Sequence, residues 1–212
     1  MGKISQGILG GLSGKVGNVI GGTWKGIDYL RIKPSSVANP RTEGQVNQRN
    51  KFTATLEFLQ PNKDFINIGY KNFAIKKTAF NAAMSEILAN GITGDAPNFE
   101  VDYPNALLSK GNLAGVLSPT FDDSIPGQLT LGWSDNSSLV NASGQDQLFI
   151  CIYNPVKKES VIKYGTSRLM TSQILAIPTA YAGDTVHVYF AFVSPDKRQV
   201  SNSSYVGSFE AS

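Results

Sequence analysis

The sequence predicts an α+β protein: an N-terminal glycine-rich β-hairpin and two amphipathic helices, followed by a C-terminal seven-stranded β-sandwich. Three observations carry this. Glycines stand at positions 7, 10, 11, 14, 17, 21, 22 and 26 among short clusters of Ile, Leu and Val. The middle of the chain repeats apolar residues at helical spacing, and from Val101 onward the pattern changes to short alternating runs separated by Pro, Gly, Asn and Asp. The expected division is residues 1–110, hairpin and helices, and residues 111–212, the sandwich.

Glycine has no side chain to bury and costs about 1 kcal/mol per helical site relative to alanine. Eight of them within twenty residues call for a reason, and close approach of one backbone to another is the best one. Lys15–Thr23 and Ile27–Lys33 read as two strands around a Trp24-Lys25-Gly26 turn, ended by Pro34. In NPRTEGQVNQRNKFTATLEFLQP, Asn39 or Thr42 caps a helix that Pro61 stops. Phe52, Leu56 and Leu59 share one of its faces. A second helix is predicted from Asn72 to Ala89, where Phe73, Phe80, Met84, Ile87 and Leu88 recur at helical spacing and Asn90-Gly91 supplies the stop. Both stripes read as core, packed on each other or on the hairpin.

The predicted strands of the sandwich are Gly115–Phe121, Gln128–Trp133, Gln147–Tyr153, Ser160–Tyr164, Gln173–Ile177, Thr185–Val193 and Val200–Gly207, a set that suits an immunoglobulin-like topology. In Thr185–Val193, Val186, Val188, Phe190 and Phe192 point one way, and His187, Tyr189 and Ala191 the other. One face is expected in the core and the other at least partly wet. QLTLGWSDNS resembles the second strand of fibronectin type III domains, and PTAYAGDTVHVYF resembles the corner and strand near the end of such sandwiches. Trp133 and Tyr181 are therefore expected as core or corner residues, which supports a fold and not a function.

At 41% apolar and 17% charged, the 212 residues can build a core. The charge-free stretch Ile4–Gly14 is too short and glycine-rich to span a bilayer, so no membrane partner is expected. Lys3 and the Ile8-Leu9 pair imitate a secretory signal poorly, and cytoplasmic synthesis without a signal peptide is the expectation. The net charge of +3 hides an asymmetry: residues 1–110 hold 13 Lys/Arg against 8 Asp/Glu, and residues 111–212 hold 6 against 8. Lys3, Lys15, Lys25, Arg31, Lys33 and Arg41 face only Asp28 in the first forty-one residues, an excess suited to phosphates or to an acidic protein surface.

Local catalytic signatures are missing or broken. The one histidine, His187, sits mid-strand between valines, and the one cysteine, Cys151, lies inside the apolar run LFICIY, where it behaves as a small hydrophobe. That pair cannot build a usual zinc centre. In GLSGKVG, Val16 stands where a phosphate loop needs Ser or Thr and Leu9 where it needs glycine; no two glycines lie two residues apart, so the dinucleotide fingerprint is absent. Asp122-Asp123, and Asp95 with Glu100 and Asp102, fall in turns, where Asp bonds to its own backbone. No catalytic residue, cofactor or metal is assigned, and an enzyme is not expected.

GILGGLSGKVGNVIGGTWKGIDYLRIKP, NPRTEGQVNQRNKF and YAGDTVHVYFAFVSPDKRQVSNSSYVG together resemble a family of proteins of unknown function, of about this length, from Bacteroidota. Lys15, Gly17, Trp24 and Gly26 carry the resemblance most specifically, with Asn39-Pro40-Arg41-Thr42, Gln45, Arg49 and Phe52. The segment Asn39–Phe52 also resembles a motif of small bacteriophage and prophage proteins. Read from the residues alone, it is equally a helix start, with Asn39 as cap, Pro40 in the first turn and Glu43 near the positive end. That leaves Gln45 and Arg49, four apart, as a polar partner face.

Three functions compete. The expected one is a structural or assembly protein, a homo-oligomer or a partner of other structural proteins in a phage-like particle or virion. In it Gly10, Gly11, Gly14, Gly17, Gly21 and Gly22 permit backbone contact, and Trp24, Ile27, Tyr29 and Leu30 anchor the interface. The opening could equally wrap around its own helices. The second is nucleic-acid binding through Lys15, Lys25, Arg31, Lys33 and Arg41, with Trp24 and Tyr29 for stacking. The third is a carbohydrate- or surface-binding module using aromatic residues such as Tyr153, Tyr164 and Tyr205.

Overall fold

The computed structural model describes residues 3–4, 11–36, 39 and 41–212. The chain divides into two compact units, Met1–Thr42 and Glu43–Ser212.

The first unit is an antiparallel sheet of β1 (Lys3–Ile4), β2 (Leu12–Val16), β3 (Val19–Trp24) and β4 (Ile27–Ile32), in that spatial order. The expected strand Lys15–Thr23 is broken into two by a tight turn at Gly17-Asn18, where Gly17 has φ 57°. Between β3 and β4, Lys25 and Gly26 adopt φ 50° and 83°. Positive φ at both central residues is what a type I′ hairpin turn requires, because its twist matches that of the flanking strands.

The second unit opens with α1 (Glu43–Leu59), α2 (Lys63–Gly69) and α3 (Ala79–Asn90). Arg41, at φ 47°, is outside the helical region, so of the two expected starts α1 takes the later, beginning at Glu43 directly after Thr42 and not after Asn39. The expected second helix is shorter at its start. Lys76 at φ 57° interrupts it, and Thr78 caps α3 by accepting the Asn81 amide at 3.1 Å. The residues buried on α1 are Thr55, Phe58 and Leu59, whereas Phe52 and Leu56, expected in the core, are exposed, as is Phe73.

A short ribbon, β5 (Ile92–Thr93) with β6 (Glu100–Val101), leads to seven strands: β7 (Leu117–Asp122), β8 (Gln128–Ser134), β9 (Gln147–Asn154), β10 (Glu159–Ser167), β11 (Ser172–Ala176), β12 (Thr185–Val193) and β13 (Ser204–Glu210). They form a three-stranded sheet, β11-β8-β7, and a four-stranded sheet, β10-β9-β12-β13. The chain crosses between sheets after β8, β10 and β11, which makes a sandwich of the immunoglobulin and fibronectin type III kind. Leu129, Leu131, Trp133, Ile150, Val188 and Phe190 belong to the core between the sheets, and Tyr181 closes one end. Trp133 and Tyr181 are the core and corner residues their motifs predict.

The other face of the four-stranded sheet is not wet. Phe149, Cys151, Tyr153, Tyr189 and Ala191 project from it into a second core formed with Phe58, Phe65, Ile66, Met84 and Ile87 of the helices. Phe65 stacks on Phe149 with ring centroids 4.0 Å apart, and Phe58 meets Tyr153 edge-on at 5.1 Å. One polar node is satisfied inside this core: Asn62 donates to the Phe58 carbonyl at 2.8 Å and accepts from the Ser160 hydroxyl at 2.6 Å and the Cys151 thiol at 3.0 Å. The division expected near residue 110 therefore falls after Thr42, because residues 43–110 share a core with the sandwich.

Arg168, between β10 and β11, is fully buried. Its guanidinium donates to Asp146 at 3.1 Å, to the Ala114 carbonyl at 3.0 Å and to Asn136, and lies 3.8 Å over the Phe192 ring. Its own carbonyl accepts from the Trp133 indole at 2.8 Å. These contacts tie three loops together at one end of the sandwich.

Candidate interaction surfaces

Strand pairing sorts the N-terminal sheet into two unlike faces. Residues opposite each other across a ladder share a face, so Val16, Val19, Gly21, Leu30 and Ile32 lie on one, and Lys15, Ile20, Gly22, Trp24, Ile27, Tyr29 and Arg31 on the other. The first is mostly aliphatic but also carries Thr23 and Asp28, and the second mixes aromatic rings with cations. Among the anchors named from sequence, Trp24, Ile27 and Leu30 are 64%, 67% and 63% exposed, and Tyr29 is 46% exposed; Ile32, at 79%, belongs with them.

The glycines have reasons inside the sheet. A Cβ on Gly21 would lie 1.9 Å from the Leu12 carbonyl oxygen, so the first turn of chain in β2 approaches β3 as only glycine allows. Gly22 lies under the Tyr29 ring, Gly11 against the Asp28 carboxylate, Gly14 within β2 and Gly17 in its turn. Gly10 lies outside the described residues. The interface expectation thus shifts from glycine backbone onto the exposed side chains of β4 and its turn.

The cations do not all converge. Lys15 and Arg31 share the aromatic face; Lys25 sits in the turn with its ammonium 4.7 Å over the Trp24 ring. Lys33 follows β4, its amide bonded to the Asn18 carbonyl at 2.7 Å, and Arg41 precedes α1.

On α1, Gln45 and Arg49 lie on an exposed face with Gln48, Phe52 and Thr53, which together line an open groove of about 490 Å³. Sequence reading paired Gln45 with Arg49 and missed the apolar floor. The stripe of Phe52, Leu56 and Leu59 had absorbed Phe52 into the core, whereas the buried face runs through Thr55, Phe58 and Leu59.

The histidine and cysteine are buried, and the clustered aspartates bond within their turns. His187 stacks on Tyr103 at 3.6 Å with Nδ1 3.1 Å from the Tyr205 hydroxyl, and burial pushes its pKa down to about 4. Burial pushes the Cys151 thiol up to about 12, far from a reactive thiolate. Asp122 accepts the Ser124 amide at 3.0 Å, and Asp102 accepts from Asn105 at 2.8 Å, as turn aspartates do. Among the described residues no three His, Cys, Asp or Glu side chains converge as a metal site would need, and no helix is long and apolar enough to cross a membrane. Tyr153 is buried, Tyr205 half-buried, and Tyr164 stacks on Phe149.

The model of a family of unknown function, DUF6266, matches residues 11–207. No curated protein sequence matches the chain. Among solved structures, the fn3 domain of the human collagen alpha-1(XX) chain is similar over 48% of this chain and 87% of its own, at 7% identity and a TM-score of 0.36.

Proposed function

The chain belongs to this family of unknown function, and from that premise we propose that it is a non-enzymatic structural or assembly protein whose N-terminal sheet packs against neighbouring subunits. The observation that carries the reading is β4, exposed at all six residues and on both faces. Short antiparallel strands hold together in water only when a face is covered, and contiguous exposed apolar surface marks contact sites. Trp24, Ile27, Tyr29, Leu30 and Ile32 are the anchors such an interface uses. The resemblance of Asn39–Phe52 to phage and prophage proteins, together with the exposed Gln45, Arg49 and Phe52, supports a place in a phage-like particle. The Gly-rich opening supports a Bacteroidota source.

Light scattering behind size exclusion, across a concentration series of the full chain and of Trp24→Ser/Leu30→Ser, tests this. A defined oligomer that the double variant loses is the expected result. A full-length chain that stays monomeric throughout would overturn it.

A second reading, nucleic-acid binding, is favoured by the grouping of Lys15, Trp24, Tyr29 and Arg31 on one face. Phosphate-driven binding weakens steeply with salt, so no shift with single-stranded DNA or RNA at low salt would remove it.

A further inference from the structure

We propose that β4 pairs edge to edge with β4 of a second copy of the chain, antiparallel about a twofold axis at Leu30, joining two N-terminal sheets into one. This rests on the assembly reading and names its partner. β4 is the terminal strand of the sheet, paired among the described residues only with β3. It carries no proline and no bulge, two of the devices that blunt an edge, and its two charges, Asp28 and Arg31, are of opposite sign.

The direction of its backbone groups follows from one bond. The Lys33 amide donates to Asn18 across the ladder at 2.7 Å; residues alternate along a strand, so Ile27, Tyr29 and Arg31 also bond inward, while Asp28, Leu30 and Ile32 turn their N–H and C=O groups to the outer edge, away from β3. A twofold axis perpendicular to the sheet reverses the strand and keeps each face on its own side. An axis at Ile27 or Ile32 pairs only an end of the strand, and one at Asp28 opposes two carboxylates and leaves Ile32 unpaired, so three centres remain. An axis at Tyr29 leaves Ile32 unpaired, and one at Arg31 sets two guanidinium groups opposite each other. An axis at Leu30 uses all three outward residues: Leu30 meets Leu30 of the partner subunit, and Asp28 meets Ile32 of the partner subunit. On the other face Tyr29 meets Arg31 of the partner subunit twice, an aromatic ring against a cation with no like charges opposed. The same edge serves both copies, so the contact closes at a dimer.

Cysteine cross-linking in the full chain reads the register directly, and the native Cys151 is buried. In Leu30→Cys the paired Cα atoms stand about 5.5 Å apart, within disulfide range. In Asp28→Cys and Ile32→Cys the like residues are four positions apart along the strands, about 13 Å. Mild oxidation is expected to convert Leu30→Cys to a covalent dimer and the other two about tenfold or more slowly. Leu30→Lys, which opposes two ammonium groups, is expected to be monomeric with the unfolding transition of Glu43–Ser212 unchanged. Equal cross-linking at the three positions, or a Leu30→Lys chain that assembles as the native one does, overturns the pairing while an oligomeric native chain upholds the assembly reading. A native chain monomeric at every concentration overturns both.

Discussion

Lowering the pH from 7 to 5 tests the burial of His187 through its charge. The ring is 9% exposed, stacked 3.6 Å from Tyr103, and bonded to the Tyr205 hydroxyl. Burial lowers its pKa from 6.5 to about 4, because the imidazolium would lose its hydration there. The unfolded chain therefore takes the proton first as pH falls. The stability linked to His187 is whole above pH 6.5 and is lost as pH drops toward 4, at about 1.4 kcal/mol per unit. By pH 5 the loss is about 2 kcal/mol, and it reaches about 3 near pH 4. His187→Phe keeps the stacked ring and removes the titration. Urea unfolding followed by the buried Trp133 at pH 7 and pH 5 should show the native chain losing about 2 kcal/mol more than the variant. Equal losses in the two proteins would refute the reasoning, since every other titrating group is common to both.

Three further outcomes follow from the packing. Asp146→Ala strands the buried Arg168 guanidinium and should cost about 3–5 kcal/mol, with Asp146→Ala/Arg168→Met recovering most of it in the same urea assay. Phe65→Ala opens a cavity against Phe149 worth about 3–5 kcal/mol; far-ultraviolet circular dichroism and Trp133 fluorescence should fall together, since helices and sandwich share a core. Gly21→Ala places a methyl group against the Leu12 carbonyl and should abolish assembly in light scattering while leaving the unfolding midpoint of Glu43–Ser212 unchanged.

The sandwich was legible because its signal is local. Alternation and turn residues placed all seven strands within a few residues, the largest displacement being the last, predicted at Val200–Gly207 and found at Ser204–Glu210. The covering of β12 on both faces was not legible from its own alternation. His187 and Tyr189 are polar at their tips, yet His187 is stacked under Tyr103 and Tyr189 meets Phe58 of α1, both more than eighty residues earlier in the chain. Helical periodicity placed α1 and the end of α3 but caught only Leu59 of the buried face of α1, because that face runs through Thr55 and Phe58 while Phe52 and Leu56 are exposed. At the candidate surface, sequence singled out Trp24, Ile27, Tyr29 and Leu30 by type. Their division between the two faces follows strand alternation and the register of the expected turn at Lys25-Gly26, whereas the unforeseen turn at Gly17-Asn18 decides which residues of β2 lie beside them.

Hydrogen exchange of the full chain, at concentrations below and above its association range, tests the N-terminal sheet as the subunit interface most directly. The account expects protection of the amides in residues 27–32 to rise with concentration, while the strands of the sandwich stay unchanged. Protection that leaves residues 27–32 untouched as the protein associates would contradict it.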